Sequence, residues 1–192
     1  MSLMRGFNGV IALMGRAPRD EFPNYFGEAK PAFANSLAAI GGSVLLIMIA
    51  ARYIIALRRR ITGAEEAAGF PALQVGVTAF IYLIAFTAIA FMLAAIFDRK
   101  EAYYRWATVR HWMVFYALIP TTLALILAKL GVLPLMLANG LLFVVFIGWL
   151  FADIRAGYKL GEMGIVSAIF AACMVHAMGV SVILTAVVQM IP

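Results

Sequence analysis

Long stretches without a charged residue constrain this chain more than any other feature. Asp, Glu, Lys and Arg are all absent from residues 31–51, 67–97, 111–128, 130–152 and 163–192. A helix needs about 20 mostly apolar residues to cross the hydrocarbon core of a bilayer. Four of the five stretches are that long, and the third is only slightly shorter. They predict a chain that lies largely inside a membrane.

The charged fraction favours the same class of protein. Only 12% of the residues are charged, where a soluble domain has about a quarter. The alternative, a soluble protein with five fully buried helices, would lack the amphipathic helices that coat such a domain. Strict alternation of polar and apolar residues, the pattern of barrel strands, is also missing. We therefore predict an all-α polytopic membrane protein with five transmembrane helices, over about 35–57, 72–97, 111–130, 132–152 and 164–190.

The first 30 residues have a different pattern. Leu3, Phe7, Val10, Ile11 and Met14 recur at helical spacing and form one apolar stripe, as in an amphipathic helix at the headgroup boundary. Packing of this helix on the protein's own cytosolic face is the alternative. We predict an N-terminal amphipathic interfacial helix within residues 1–30, joined to the spans in a single transmembrane domain, 1–192.

The distribution of Lys and Arg predicts the orientation. With the N-terminus inside, ten basic residues lie on the cytosolic side and four on the other. The ten are Arg5, Arg16, Arg19, Lys30, Arg99, Lys100, Arg105, Arg110, Arg155 and Lys159, and the four are Arg58, Arg59, Arg60 and Lys129. We predict a cytoplasmic N-terminus and a C-terminus on the opposite side of a bacterial inner membrane.

A segment before the third span mixes bases with aromatic residues, which favour anionic headgroups and the membrane interface respectively. It is a candidate for docking lipid headgroups or a partner, and ordinary membrane anchoring is the alternative. Nucleic acid is a poor candidate at a membrane surface. The candidate residues are Arg99, Lys100, Tyr103, Tyr104, Arg105, Trp106 and Arg110.

His176 is the most unusual residue within a predicted span, because ionisable side chains are costly there. It is a candidate haem ligand, metal ligand or proton relay. The alternative is a neutral histidine hydrogen-bonded between helices. Ala168, Ala172 and Gly179 share its side of the helix and predict close packing of a neighbouring helix.

A haem held by two histidines is disfavoured. His111 lies at the start of the third predicted span, whereas His176 is about 12 residues, or roughly 18 Å, into the fifth. Cys173 lies three residues before His176, but two ligands are too few for zinc. We predict no metal and no cofactor.

Other polar or small residues within the spans are candidates for packing or a substrate path. Pro120 predicts a kink, beside Thr121 and Thr122. Asn139 can form an interhelical hydrogen bond. The ladder Ala34, Ala38 and Gly42 predicts a helix-packing face on the first span.

The chain resembles the Yip1 family in its layout. The resemblance rests on the proline-bearing stretch that follows the amphipathic segment (Phe7 to Pro23), on Leu118-Ile119-Pro120 and on the Leu133-Pro134 turn. It implies five clustered spans, a cytosolic N-terminus and a non-enzymatic role in membrane organisation or partner binding.

Three functions remain open. The first is a non-catalytic membrane-organising protein or accessory subunit that contacts the lipid bilayer, anionic lipids and other membrane subunits or a second copy. The chain has no HExxH, Walker or GxSxG motif. The second is a small-solute transporter or channel lined by His176, Cys173, Asn139 and the Pro120 kink. No acid lies within a predicted span, which disfavours ion coupling. The third is a haem-carrying electron-transfer subunit.

Overall fold

The computed structural model describes residues 2–62, 70–96 and 98–189, with the side chains of all of these except 58, 61, 62, 89, 90, 93, 94, 180 and 182–189. Helices make up 87% of the structure, and no strand occurs in these ranges. The prediction of an all-α chain is confirmed over this part. The α-helices are α1 (Leu3–Met14), α2 (Phe22–Phe26), α3 (Ala29–Thr62), α4 (Ala72–Ile96), α5 (Lys100–Lys129), α6 (Leu135–Lys159) and α7 (Ile165–Gln189), with a 3₁₀ turn at Arg19–Glu21.

Three helices are long and apolar enough to cross a membrane. They are α3 over Ala29–Leu57, α5 and α6. Within the described residues, α4 and α7 contribute shorter apolar stretches, Ala72–Ala88 and Ile165–Gly179. The chain therefore has the features of a multi-pass membrane protein, with at least three candidate spans.

The helices α3 to α7 alternate in direction. His111 of α5 meets Ser36 of α3, and further along both helices Thr122 meets Leu46, so α3 and α5 run parallel. The helices α4 and α6 run antiparallel to α5, and α7 runs antiparallel to α6. The helix α5 packs against α3, α4 and α6, which makes it the centre of the bundle.

Two helix ends differ from the sequence prediction. The segment before residue 111, expected to be a loop, is the first part of α5, where Glu101 and Arg105 form an i, i+4 ion pair. The segment after residue 152, expected to be a polar link, continues α6 to Lys159. Charged residues ended both predicted spans too early, because two of those charges face each other inside the bundle.

The remaining span limits agree less closely with the prediction or lie outside the described residues. The helix α3 begins at Ala29 rather than 35, with Pro31 in its first turn, where proline is tolerated. Between the first two predicted spans, α3 continues to Thr62 and α4 begins at Ala72. Residues 63–69, and residues 97 and 190 at the predicted ends of two spans, lie outside the described residues.

The helix α1 packs along α5 and α6. Its protein-facing side consists of Gly6, Gly9, Val10 and Leu13. A Cβ at Gly9 would lie 2.6 Å from the Phe26 ring, so glycine allows this close approach. The predicted apolar stripe is therefore turned mostly away from the protein: among its members, Leu3, Phe7 and Ile11 are exposed.

Candidate functional site

A buried ion pair joins the centre of the bundle to α6. The Arg110 Nε lies 3.2 Å from Oδ2 of Asp153 and 3.1 Å from its Oδ1. Both side chains are 2% exposed. The Arg110 guanidinium also lies 3.7 Å from the centre of the Phe86 ring of α4, a cation–π contact. Because desolvating either charge alone would cost several kcal/mol, each requires the other.

His176 of α7 completes a cluster with this pair. Its Nδ1 lies 2.9 Å from the carbonyl oxygen of Ala172 and 3.7 Å from Oδ2 of Asp153. A carbonyl only accepts hydrogen bonds, so Nδ1 carries a proton, and in the neutral ring Nε2 is an acceptor. The imidazole packs edge-on against Trp149 and Phe146 of α6, with ring centres 4.8 and 5.3 Å away. We call Arg110, Asp153 and His176 the charged cluster.

The charged cluster retains unused hydrogen-bonding capacity. Arg110 Nη2, His176 Nε2 and Trp149 Nε1 are buried and have no hydrogen-bond partner within the described part of the chain, and Asp153 Oδ1 has only its ion-pair contact with Arg110 Nε. Most buried polar groups in proteins are paired. These four atoms supply both donors and acceptors, which suits a small polar guest such as water.

Tyr82 of α4 closes the cluster on its remaining side. Its hydroxyl donates to the carbonyl oxygen of Val175 at 2.9 Å and lies within electrostatic range of Arg110 and Asp153. A Cβ at Gly179 would lie 2.5 Å from that hydroxyl, so the absent side chain lets α4 and α7 meet. The cluster is thus built by four helices, α4 to α7.

His111 lies next to Arg110 in sequence but faces a different pair of helices. Its Nδ1 lies 2.8 Å from the Ser36 hydroxyl of α3, and its Nε2 lies 3.0 Å from the Thr87 hydroxyl of α4. The Tyr103 hydroxyl donates to the carbonyl oxygen of Thr87 at 2.8 Å. We call this arrangement the histidine bridge, because it joins α3, α4 and α5.

Hydrogen counting shows how the histidine bridge works. The Ser36 and Thr87 hydroxyls each have one proton, and each also lies within bonding distance of a carbonyl oxygen of its own helix, Phe33 at 2.7 Å and Leu83 at 2.9 Å. A neutral His111 donates through one nitrogen and accepts through the other. One hydroxyl then donates to a carbonyl while the other donates to the ring. Both ring nitrogens of His111 have a hydroxyl partner, so this geometry suits a structural role that joins packed helices.

These positions correct the predicted depth of His111. Because α5 begins at Lys100, His111 lies about eleven residues into its helix, as deep as His176 lies in α7. The expected offset of roughly 18 Å is therefore wrong. Haem ligation by His111 is still disfavoured, for a different reason: both of its ring nitrogens have hydroxyl partners.

The prediction that no acid lies within a span is also wrong. Asp153 belongs to α6 and is buried. The sequence did contain a signal for the ion pair. In an antiparallel hairpin, the start of the third span and the end of the fourth lie at the same level, and Arg110 and Asp153 occupy these two positions with opposite charge. Taken singly, Arg110 and Asp153 are each expected in water, and only their contact neutralises both charges inside the bundle.

The structure does not bring the predicted transport residues together with His176. Cys173 is exposed, on the outer side of α7, and Asn139 is exposed on α6. Thr121 donates to the carbonyl of Ala117, and Thr122 to that of Leu46 at 3.4 Å. Neither bond reaches the carbonyl four residues before Pro120, and α5 continues through the proline.

The predicted docking segment is only partly accessible. Arg110, Tyr103 and Trp106 are buried, so the expectation that they face headgroups or a partner is corrected. Arg105 is half-buried and bonds Glu162 at 3.3 Å, and Arg99 donates to the Glu162 carbonyl at 2.5 Å. Lys100 is exposed, and Tyr104 is half-buried.

The predicted packing face of α3 is displaced around the helix. Ala34 and Ala38 are exposed, whereas Gly42 touches the Phe115 ring. The inward side of α3 carries Ser36 and Ser43, because the Ser36 hydroxyl bonds His111. On α7, by contrast, Ala168, Ala172 and Gly179 are buried on the side of His176.

Metal binding has no support within the described residues, which contain no group of three His, Cys, Asp or Glu side chains that could hold an ion. The cluster instead combines one cation, one anion and one histidine, a set that can bind polar molecules or protons in a membrane interior. No protein-family model, no curated protein and no solved structure matches the chain.

Proposed function

We propose that this chain is a non-catalytic, five-span protein of the bacterial inner membrane that acts as a membrane-organising protein or accessory subunit through helix–helix and lipid contacts. The outer side of α6 carries this proposal. Only 6% of the most apolar stretch of α6 is buried inside the protein, against 44% for α5. The inner side of α6 carries four buried residues, Ala138, Asp153, Ala156 and Gly157, and most apolar residues of this helix are partly or fully exposed.

The outer side of α6 is suited to contact with another helix. Met136 is 86% exposed, and Phe143, Val144 and Phe151 are each about two-thirds exposed. A Cβ at Gly140 or Gly148 would meet nothing within 4 Å. Small residues allow a second helix to approach closely, and the exposed Asn139 amide can hydrogen-bond to it. We call the exposed residues Met136, Asn139, Gly140, Phe143, Val144 and Phe151 the outer α6 face.

The number of spans and the orientation belong to the same proposal. The helices α4 and α7 pack within the bundle in alternating directions with the three membrane-length helices, which supports five crossings and termini on opposite sides. The exposed apolar residues of α1, including Leu3, Met4 and Phe7, would contact lipid near the cytoplasmic interface. This layout is what a Yip1-like protein would have.

Cross-linking from the outer α6 face tests the proposal. In a Cys173→Ser background, a thiol-anchored photocross-linker at Gly140→Cys should capture a second copy or another membrane subunit in native membranes. The matched control is Ala138→Cys on the same helix, which is fully buried at 0% exposure. The proposal is overturned if both variants yield only uncross-linked chain and the purified protein is monodisperse and moves a solute in liposomes.

The charged cluster favours a second candidate, passage of protons or a small polar solute. Intramembrane ionisable residues commonly mark such paths, and four buried polar atoms around the cluster lack a hydrogen-bond partner among the described residues. The decisive test is flux into liposomes by the wild type and by His176→Ala. Equal flux in the two would eliminate the cluster as the path.

A further inference from the structure

A groove opens on the side of the bundle beneath α1. It has a volume of about 180 Å³ and lies between α1, α5 and α6. Its walls are almost entirely apolar, and they include Phe7 and Ile11 of α1, Met113 of α5, and Gly148 and Trp149 of α6. The groove lies alongside two membrane-length helices, so hydrocarbon surrounds its opening.

The ends of α1 hold the groove open. At one end the Tyr116 hydroxyl donates to the carbonyl of Leu3 at 2.5 Å. At the other end Lys159 donates to the carbonyl of Leu13 at 2.7 Å, and Arg155 donates to that of Gly15. Hydrogen bonds thus hold both ends of α1 against α5 and α6, and the groove lies between these two points of contact.

The size of the groove fits a segment of hydrocarbon chain. An apolar cavity of roughly 150 Å³ admits a molecule the size of benzene, so this groove accommodates about six chain carbons. Gly148 has no side chain that would take up space in the groove, and a Cβ at this position would meet nothing within 4 Å. An acyl chain would displace no ordered polar partner, because the lining offers few polar atoms.

The charges beside the groove favour an anionic headgroup. Ala152 is the last α6 residue of the lining, and Arg155 lies three residues further, about 4.5 Å along the helix axis. Arg155 and Arg16 are both exposed near the end of α1. Lys159 bonds Leu13 near the same end of α1 and lies within electrostatic range of Arg155 and Glu21. Arg16, Arg155 and Lys159 thus bring positive charge to this end of α1.

We propose that the groove binds one acyl chain of an anionic phospholipid, with the phosphate at Arg155 and Arg16. This site rests on the proposed lipid-contact function and gives it a location. It also places the chain against Trp149, whose other side packs on His176. A bound lipid is therefore separated from the charged cluster by one side chain.

Quenching by brominated lipid tests the site. The full chain is reconstituted with acyl-brominated phosphatidylglycerol, and the quenched emission is assigned to Trp149 by comparison with Trp149→Phe. Gly148→Leu, whose Cβ would meet nothing within 4 Å and whose side chain would occupy the groove, should remove most of the Trp149 quenching seen in the wild type, because the brominated chain can no longer lie against the ring. The matched control Gly140→Leu adds the same side chain to an equally open position outside the groove, and should quench like the wild type.

The headgroup is tested in the same assay. Brominated phosphatidylcholine should quench Trp149 less than phosphatidylglycerol does, and Arg16→Gln should reduce the difference, whereas Arg52→Gln, an exposed arginine of α3, should not. Equal quenching in the two leucine variants overturns the groove, and equal quenching by the two lipids overturns the headgroup preference. Neither result bears on cross-linking from the outer α6 face, so the two proposals fail separately.

Discussion

Arg110 and Asp153 show how a single pair of residues can carry charge into an apolar bundle. Each is 2% exposed, and their charged atoms meet at about 3.1 Å. A lone charge in such a place costs several kcal/mol, whereas a close pair recovers much of that cost. Each charge therefore needs the other when α6 docks on α5, and His176 and Phe86 are the polar and aromatic neighbours of the pair.

Removing one partner should be worse than removing both. We expect Asp153→Leu to lower the free energy of unfolding by about 3–5 kcal/mol, because Arg110 is left buried without a counter-ion. The double variant Arg110→Met/Asp153→Leu should recover most of that loss. Thermal unfolding in detergent measures both, with Arg52→Gln as an exposed control. Additive losses in the double variant would contradict a neutralising pair.

At the scale of one helix, two adjacent glycines of α3 have opposite environments. A Cβ at Gly42 would lie 2.6 Å from the Phe115 ring, whereas one at Gly41 would meet nothing within 4 Å. Neighbouring positions on a helix point about 100° apart. The contact with α5 therefore restricts one of the two positions and leaves the other free.

These glycines provide a matched pair of variants. Gly42→Val should destabilise the protein by about 1–3 kcal/mol, because overpacking forces α3 away from α5. Gly41→Val has the same change in helix propensity and no clash, so its unfolding temperature should stay close to that of the wild type. A comparison of the two melting curves gives the packing contribution alone, and coincident curves would show that α3 and α5 do not approach this closely.

The docking of α1 depends on cations at the end of α6. Lys159 donates to the carbonyl oxygen of Leu13, which the end of α1 leaves without a helical partner, and to that of Ala17 in the segment after α1. Lys159→Met should loosen α1 by about 1–2 kcal/mol. Hydrogen exchange of residues 3–14 should then quicken roughly tenfold. Lys129→Met, at the last residue of α5, is the control, and unchanged exchange in Lys159→Met would argue against this anchor.

For the whole molecule, alternating helix directions relate the two termini. Each of the helices α3 to α7 runs opposite to the one before it, with α5 at the centre. An odd number of crossings places the ends of the chain on opposite sides. In the sequence, ten basic residues, Arg110 among them, support a cytosolic N-terminus. Because Arg110 is buried, the cytosolic side keeps nine basic residues against four on the other side, so the predicted orientation is the same.

Accessibility of the two termini tests whether the number of crossings is odd, as five is. With five spans, a tag at the N-terminus should be protected from protease added outside intact cells, while a tag at the C-terminus should be cleaved. Opening the cells should expose both. If both tags behave alike in intact cells, an even number of helices crosses the membrane, and either α4 or α7 does not span it.

Hydrophobic pattern was sufficient to predict the helices but not their ends. Each of the five long helices overlaps a predicted span, because hydrocarbon solvent demands uninterrupted apolar sequence. The first turns of α5 and the last turns of α6 were missed, because a charged residue ends an apolar run whether or not it has a buried partner. The stripe of α1 was assigned correctly as a helical pattern, yet its packed side combines two glycines, Gly6 and Gly9, with Val10 and Leu13.

The sequence by itself determined that the chain is helical and belongs in a membrane, because composition and spacing are properties of the chain alone. Only the tertiary structure decided that Arg110, Asp153 and His176 meet, that His111 bridges Ser36 and Thr87, and that α1 frames a groove with α5 and α6. The physical reason is that the cost of a buried polar group depends on its partner, and these partners lie 23 to 75 residues away in the chain.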